Sequence, residues 1–178
     1  HAEAERVNRE IAVSVHEAAA ECGCGFVFVS RSDSTLRGHY PLEIDVLAEA
    51  TARYAGKPVD GHVIVPAFFE AGRVTSGNVH FILEQGNMLP VHETEFAKDK
   101  TFGYRNSDLT KWVEEKTGGR IPAGACMAIG LELVRQGREA VAAELMKAKD
   151  NRPIIVNATN YQDLDTVSLA LHLAENAG

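Results

Sequence analysis

Nine consecutive residues, Arg31-Ser32-Asp33-Ser34-Thr35-Leu36-Arg37-Gly38-His39, carry two guanidiniums, one carboxylate and three hydroxyls, directly after the apolar run Phe26-Val27-Phe28-Val29. A guanidinium is a planar fork of donors matched to a carboxylate or phosphate. Backbone N–H groups near Gly38, at the start of the next helix, would add to it. Arg73 and Thr75 belong to a second polar stretch, PAFFEAGRVTSGNVH, which ends at His80. Asp33 offers only acceptors, whereas Ser34, Thr35 and Thr75 can donate or accept, which is what a polyhydroxylated ligand requires. Together these groups suit a small anionic sugar acid. A structural reading stands beside this one: Ser-Asp-Ser-Thr also satisfies loop backbone and caps helices, and Arg37 could simply pair with Glu43.

Such groups act only if rigid elements position them. The 178 residues, 45% of them hydrophobic, suit one globular domain that buries roughly two thirds of its unfolded surface. A net charge of −7 with no block of Lys or Arg argues against nucleic acid or an anionic membrane as partner. No stretch reaches the roughly 20 apolar residues of a membrane span, and no signal peptide is visible, so the expectation is a soluble, cytoplasmic protein. Cys22, Cys24 and Cys126 match neither a redox pair nor a zinc site and are expected as buried thiols. The chain begins with His1, already inside a helical pattern (Val7, Ile11, Val15), and reads as cut from something longer.

After that helix the patterns predict a buried strand over Phe26 to Val29 and a helix from about Pro41 to Tyr54. A second buried strand, His62 to Val65, leads into a loop holding Gly72 and Gly77. Val79–Leu83 and Met88–Val91 flank a turn and read as a hairpin. Ser107 can cap a helix that stops at Gly118-Gly119. Ala125 to Leu131 reads as a strand, Arg138 to Lys149 as a helix and Pro153 to Val156 as a strand. A last helix is capped by Asp163 and closes at Gly178. The fold class is therefore α/β: a mostly parallel sheet with helices on both faces plus an antiparallel hairpin, Rossmann-like and three-layered. Ligands of such sheets bind beyond the carboxyl ends of the strands, where the two arginine-bearing loops and NATNYQDLD would lie.

Other residues read more plainly. His92, Glu93, Glu95 and Asp99 share no metal-ligand spacing and suit a solvated strand end. Trp112 reads as core, and His16 and His172 as ordinary helix residues. GxxxxGK[ST], GxGxxG and GxSxG are all absent, so ATP, if used, is held outside these residues.

The segment Arg31-Ser32-Asp33-Ser34-Thr35-Leu36-Arg37-Gly38 resembles the signature loop of the four-carbon acid sugar kinases, once catalogued as a domain of unknown function. The resemblance continues in order through Pro66-Ala67-Phe68, Gly72-Arg73-Val74-Thr75, Gly77-Asn78-Val79-His80, Glu93-Thr94-Glu95-Phe96 with Asp99, Ser107-Asp108-Leu109 and Asp163-Leu164. It implies an enzyme that uses ATP and Mg²⁺ to phosphorylate threonate, erythronate or a 3-oxo relative. Residues 1–178 would be most of its N-terminal substrate-binding domain, inactive alone, with an ATP-binding C-terminal domain elsewhere. On this reading Arg37, with Arg73 and Arg31, is assigned to the substrate carboxylate, Asp33, Ser34, Thr35 and Thr75 to hydroxyls, Gly38 and His80 to the same site, and proton abstraction either to Asp33 or to a residue of the missing segments. No metal ligand is among them. The sequence departs from the family at Arg31 (usually Lys), His39 (often Asn), Phe69 (often Pro) and Asn157 (often Asp). The family's opening Asp-Asp-x-Thr-Gly strand would precede His1. Apolar surface left by absent parts would favour homo-oligomers. Two rival readings are a non-catalytic small-carboxylate sensor and a metal-dependent hydrolase built on His80, His92, Glu93 and Glu95.

Overall fold

The computed structural model describes residues 1–177. Along the chain come α1 (Ala2–Cys22), α2 (Leu42–Ala55), β1 (Gly61–Ile64), β2 (Arg73–Ser76), β3 (Val79–Glu84), β4 (Asn87–Pro90) and α3 (Leu109–Lys116). They are followed by β5 (Met127–Ile129), α4 (Leu131–Val134), α5 (Arg138–Leu145), β6 (Arg152–Val156) and α6 (Tyr161–Ala177). Gly178, expected to close the last helix, lies outside the described residues.

Two sheets result. β6 is the centre of a parallel sheet, with β1 on one side (Val63 opposite Ile154) and β5 on the other (Ala128 opposite Ile155). Because strand side chains alternate faces, Ile154 and Val156 enter one core with Val141, Leu145, Val167 and Ala170 of α5 and α6. Ile155 enters the other, with Leu109, Trp112 and Val113 of α3 and Ile82 and Val91 of the ribbon region. Both faces are covered, as near-continuous apolar parallel strands require. The second sheet is the antiparallel ribbon β2-β3-β4. It is pinned to the carboxyl end of β6 by Thr75 N–H donating to the Ala158 carbonyl (3.0 Å) and Asn78 N–H donating to Asn157 Oδ1 (2.7 Å).

The α/β class, α1, α2, the hairpin and the core placement of Trp112 agree with the sequence reading. At the start of α6, Asp163 accepts from the Thr159 N–H and hydroxyl while its own N–H donates to Asn160 Oδ1, a reciprocal cap.

Four expectations are corrected. Phe26 to Val29 is not a strand. It is irregular, with Val27 66% and Val29 81% exposed. Its apolar character is spent differently: Phe26 and Phe28 pack edge-on against the His16 ring of α1, at 4.8 and 5.7 Å between centroids, and no ladder neighbours the two valines. Arg73 to Ser76, read as loop, is a strand, because its pairing with β3 lies across a turn rather than in its own periodicity. Cys22 and Cys24 are exposed, since α1 packs chiefly on α2 and its end stands in solvent, while the half-buried Cys126 thiol is pushed up to about 11 by burial. Asp108, not Ser107, caps α3 by accepting the Thr110 N–H. The Ser107 hydroxyl turns inward and accepts from the His92 N–H.

Gly72 sets the entry to β2. Its φ is +69°, its carbonyl accepts the Leu83 N–H at 2.7 Å, and a Cβ there would stand 2.7 Å from the Leu83 carbonyl oxygen. Gly72→Ala is therefore expected to cost about 2 kcal/mol in urea unfolding, from left-handed strain plus a backbone clash. A change below about 0.5 kcal/mol would show that the ribbon adapts freely there.

Candidate functional site

The loop 31–39 is organised around one carboxylate. Asp33 Oδ1 accepts the Thr35 N–H (3.2 Å), and Asp33 Oδ2 accepts the Thr35 hydroxyl (2.5 Å) and Arg37 Nε (2.6 Å). Arg37 Nε also reaches Thr35 Oγ1 at 3.0 Å. Leu36 makes this closure possible: at φ 65° it reverses the chain so that Arg37 folds back over Asp33, and its side chain is buried at 4% exposure. The left-handed conformation costs on the order of 1 kcal/mol for a non-glycine residue, which core burial offsets. Burial works against the Asp33 charge, but hydrogen bonds from the Thr35 hydroxyl and N–H and the Arg37 ion pair outweigh it and hold the carboxyl below its ordinary range. With both oxygens engaged and a lowered proton affinity, Asp33 is a clamp for Arg37 and poorly suited to be a general base.

A second layer fastens the loop to the ribbon. His80 is completely buried, with Nε2 2.8 Å from the Ser34 carbonyl and Nδ1 2.9 Å from Thr75 Oγ1. A carbonyl only accepts, so Nε2 carries the proton, Nδ1 is the acceptor, and the Thr75 hydroxyl donates to it. Burial, with the nearby Arg73 charge, pushes the imidazole down to about 4, so the ring is neutral. Tyr104 OH donates to the Thr35 carbonyl (2.7 Å) from the other side. Thr35, Thr75 and His80, expected as ligand contacts, are thus buried and bonded within the protein as supports of the loop.

The two arginines converge. Arg37 Cζ lies 4.9 Å and Arg73 Cζ 5.7 Å from the centroid of one ring, Phe96. Arg37 uses only Nε on protein acceptors, so its Nη groups have no protein acceptor among the described residues. Arg73 donates through Nη1 to the Ala71 carbonyl, while its Nε is buried without a partner. A buried N–H without an acceptor is uncommon enough to call for a ligand or water. Ser34 is half-buried on the same loop.

Other expected members lie elsewhere. Arg31 is exposed and lines a groove with Asn8, Ile11, Phe28 and Glu43, away from Phe96. Gly38 does not open a helix onto an anion: α2 begins at Leu42 with Glu43 and Asp45 in its first turn, whose charges oppose one. The glycine instead admits the Ser32 hydroxyl, which a Cβ would overlap. Arg37 pairs with Asp33, and Glu43 accepts from the Ser30 hydroxyl. Asn157 is fully buried, its amide donating to Asn78 Oδ1 and the Ile129 carbonyl, so it joins the two sheets. His80 and His92 are committed to Thr75, Ser34 and Ser107, and among the described residues no group of three or more His, Cys, Asp or Glu could hold a metal ion. A groove of about 420 Å³ at the opposite end of the parallel sheet is lined by Arg120, Lys147, Lys149 and Arg152. The first three of these already face Asp45, Glu144 and Asp60. Phe96 and Tyr104 are the members that sequence reading missed. Phe96 stands in the motif Glu93-Thr94-Glu95-Phe96 that carries the resemblance, but it sits among acidic residues that read as a solvated strand end, and their types do not announce a cation partner.

Comparison with known proteins adds the deciding observation. The family model described as a sugar-binding N-terminal domain matches residues 1–178. The chain belongs to this family. It is 29% identical over 153 residues to a D-erythronate kinase of Heliobacterium modesticaldum, a match covering 83% of this chain and 31% of that protein. A Haemophilus influenzae protein of the family DUF1537 shares the fold with TM-score 0.67 at 19% identity, over 91% of this chain and 37% of its own. A Salmonella typhimurium LT2 structure does so at 0.68 and 20%, over 90% and 36%. The sugar-binding domain thus spans about a third of the length of these relatives. Its residues do not fit a magnesium–nucleotide complex: the acidic first turn of α2 opposes phosphates, and among the described residues no group of three or more His, Cys, Asp or Glu could hold a divalent ion.

Proposed function

We propose that this domain binds the sugar acid in a cytoplasmic, ATP-dependent kinase of four-carbon sugar acids such as erythronate or threonate. Residues 1–178 would serve as its substrate-binding part, and ATP with Mg²⁺ would be held by a further domain. The observation that carries the reading is the meeting of Arg37 and Arg73 over Phe96, with donors on both guanidiniums unused by the protein. A planar carboxylate matches such donors. Arg37, oriented by Asp33, and Arg73 would take the carboxylate, and Ser34 a neighbouring hydroxyl. Thr35, Thr75 and His80 would keep the loop in place. Phosphoryl transfer depends mostly on positioning and charge neutralisation, and on this reading the domain supplies the positioning of the acceptor.

The test is a coupled assay of the full-length protein with MgATP against D-erythronate, D- and L-threonate, a 3-oxo relative and the uncharged polyol erythritol. Acids should be phosphorylated and erythritol should not. Equal turnover of erythritol, or turnover of none of the acids, would refute the proposal.

A further inference from the structure

We propose that Phe96 is a positioning residue of this site: its ring lies against both the Arg37 and the Arg73 guanidinium and so sets the geometry with which they grip the substrate carboxylate. The inference rests on the proposed function above and extends it to a residue that touches no substrate.

Two like charges brought to one place repel each other, and only Arg37 has a carboxylate partner, Asp33. Arg73 has a single internal acceptor, the Ala71 carbonyl, and a buried Nε without one. The shared neighbour is the Phe96 ring, and both guanidinium carbons lie within the roughly 6 Å over which a ring face attracts a cation. The negative face offsets part of the repulsion without consuming an N–H, so the donor forks stay free for a ligand. A carboxylate in the same place would neutralise the arginines and compete with the substrate.

The ring is itself well anchored. Phe96 is half-buried in the short 3₁₀ turn Glu95–Lys98 and packs against the core that contains Leu36, Val91 and Tyr104. The next residue, Ala97, is buried and its carbonyl accepts the Tyr104 N–H at 3.1 Å. Tyr104 in turn donates to the Thr35 carbonyl, so platform and arginine loop share one support. An aliphatic residue would fill this volume but hold no cation. Its effect should therefore fall on substrate affinity rather than on ATP use or turnover.

The experiment uses the full-length protein with MgATP and the best sugar acid of the panel above. Phe96 is replaced by difluoro- and pentafluorophenylalanine, which keep its shape while draining the ring face, and by Phe96→Tyr and Phe96→Leu. KM for the acid should climb stepwise with fluorination to about ten-fold, with Leu similar and Tyr within two-fold of wild type. The value of kcat and the KM for ATP should stay within two-fold throughout. A flat KM across the fluorinated series while Arg37→Ala raises it, or a loss confined to kcat, would overturn the role of Phe96 and leave the site reading intact. If Arg37→Ala also leaves KM unmoved, the site reading itself fails. Should Phe96→Leu not fold, the shape-preserving series decides.

Discussion

Arg37→Ala in the full-length protein is expected to lower kcat/KM for the sugar acid by about 30- to 700-fold, equivalent to roughly 2 to 4 kcal/mol of transition-state stabilisation. Two losses combine in that figure. The substrate carboxylate forfeits a charged fork that has no other protein acceptor to satisfy, and Asp33, half-buried, is left with Thr35 as its only partner. Arg37→Lys should recover only part of the loss. An ammonium keeps the charge but reproduces neither the planar fork nor the Nε bond to Asp33. The KM for ATP should be unchanged in both variants. A kcat/KM within two-fold of wild type for Arg37→Ala would remove this residue from the site.

His80→Ala is expected to destabilise the fold by about 3 to 5 kcal/mol in urea unfolding at pH 7. It leaves a buried cavity, the Ser34 carbonyl without its donor and the Thr75 hydroxyl without its acceptor. The same residue makes stability pH-dependent. Burial holds its pKa at about 4 against an ordinary 6.5, so between those values the unfolded chain binds a proton that the folded protein refuses. The contribution of neutral His80 is therefore complete above about pH 6.5 and falls away as pH drops through 4, by about 3 kcal/mol in all. Below that pH the folded ring is protonated as well and the loss levels off. His80→Gln can keep one donor and one acceptor but cannot titrate. Its unfolding free energy should fall less steeply from pH 6.5 to 4, by close to one proton's worth of slope. A residual slope is expected from His62, which burial also pushes below its ordinary range. Identical slopes for wild type and His80→Gln would show that His80 is not the titrating group.

Much of the site region was legible before any coordinates. The density of arginine and hydroxyl residues singles out 31–39 and 73–75, although neither is a loop after a parallel strand, since 26–29 is irregular and 73–76 is β2. Arg37 and Arg73 do reach one ring, Phe96. The contribution of Arg31 was not legible, because loop membership says nothing about direction. Leu36 at φ 65° turns Arg37 inward, while Arg31 precedes that reversal and remains on the α1–α2 side. Asp33 likewise looked like a base because its type permits it. Its engagement on both oxygens, which makes it a clamp for Arg37, depends on the way the loop folds back on itself.

Periodicity and composition are properties of neighbours in the chain, so the sequence alone was sufficient for α1, α2, the β3–β4 hairpin, the apolar strand β6 and the α/β class. It failed at Phe26 to Val29, where an apolar run is a strand only if a partner offers its hydrogen bonds. The pairing of distant groups was decided by tertiary structure alone: Ser34 with His80, Thr35 with Tyr104 and Asn157 with Asn78 by hydrogen bonds, and the two arginines with the Phe96 ring by proximity. Each of those pairs is separated by at least 23 residues, and the attraction between its members acts over only a few ångströms, so nothing short of the packed fold could choose them.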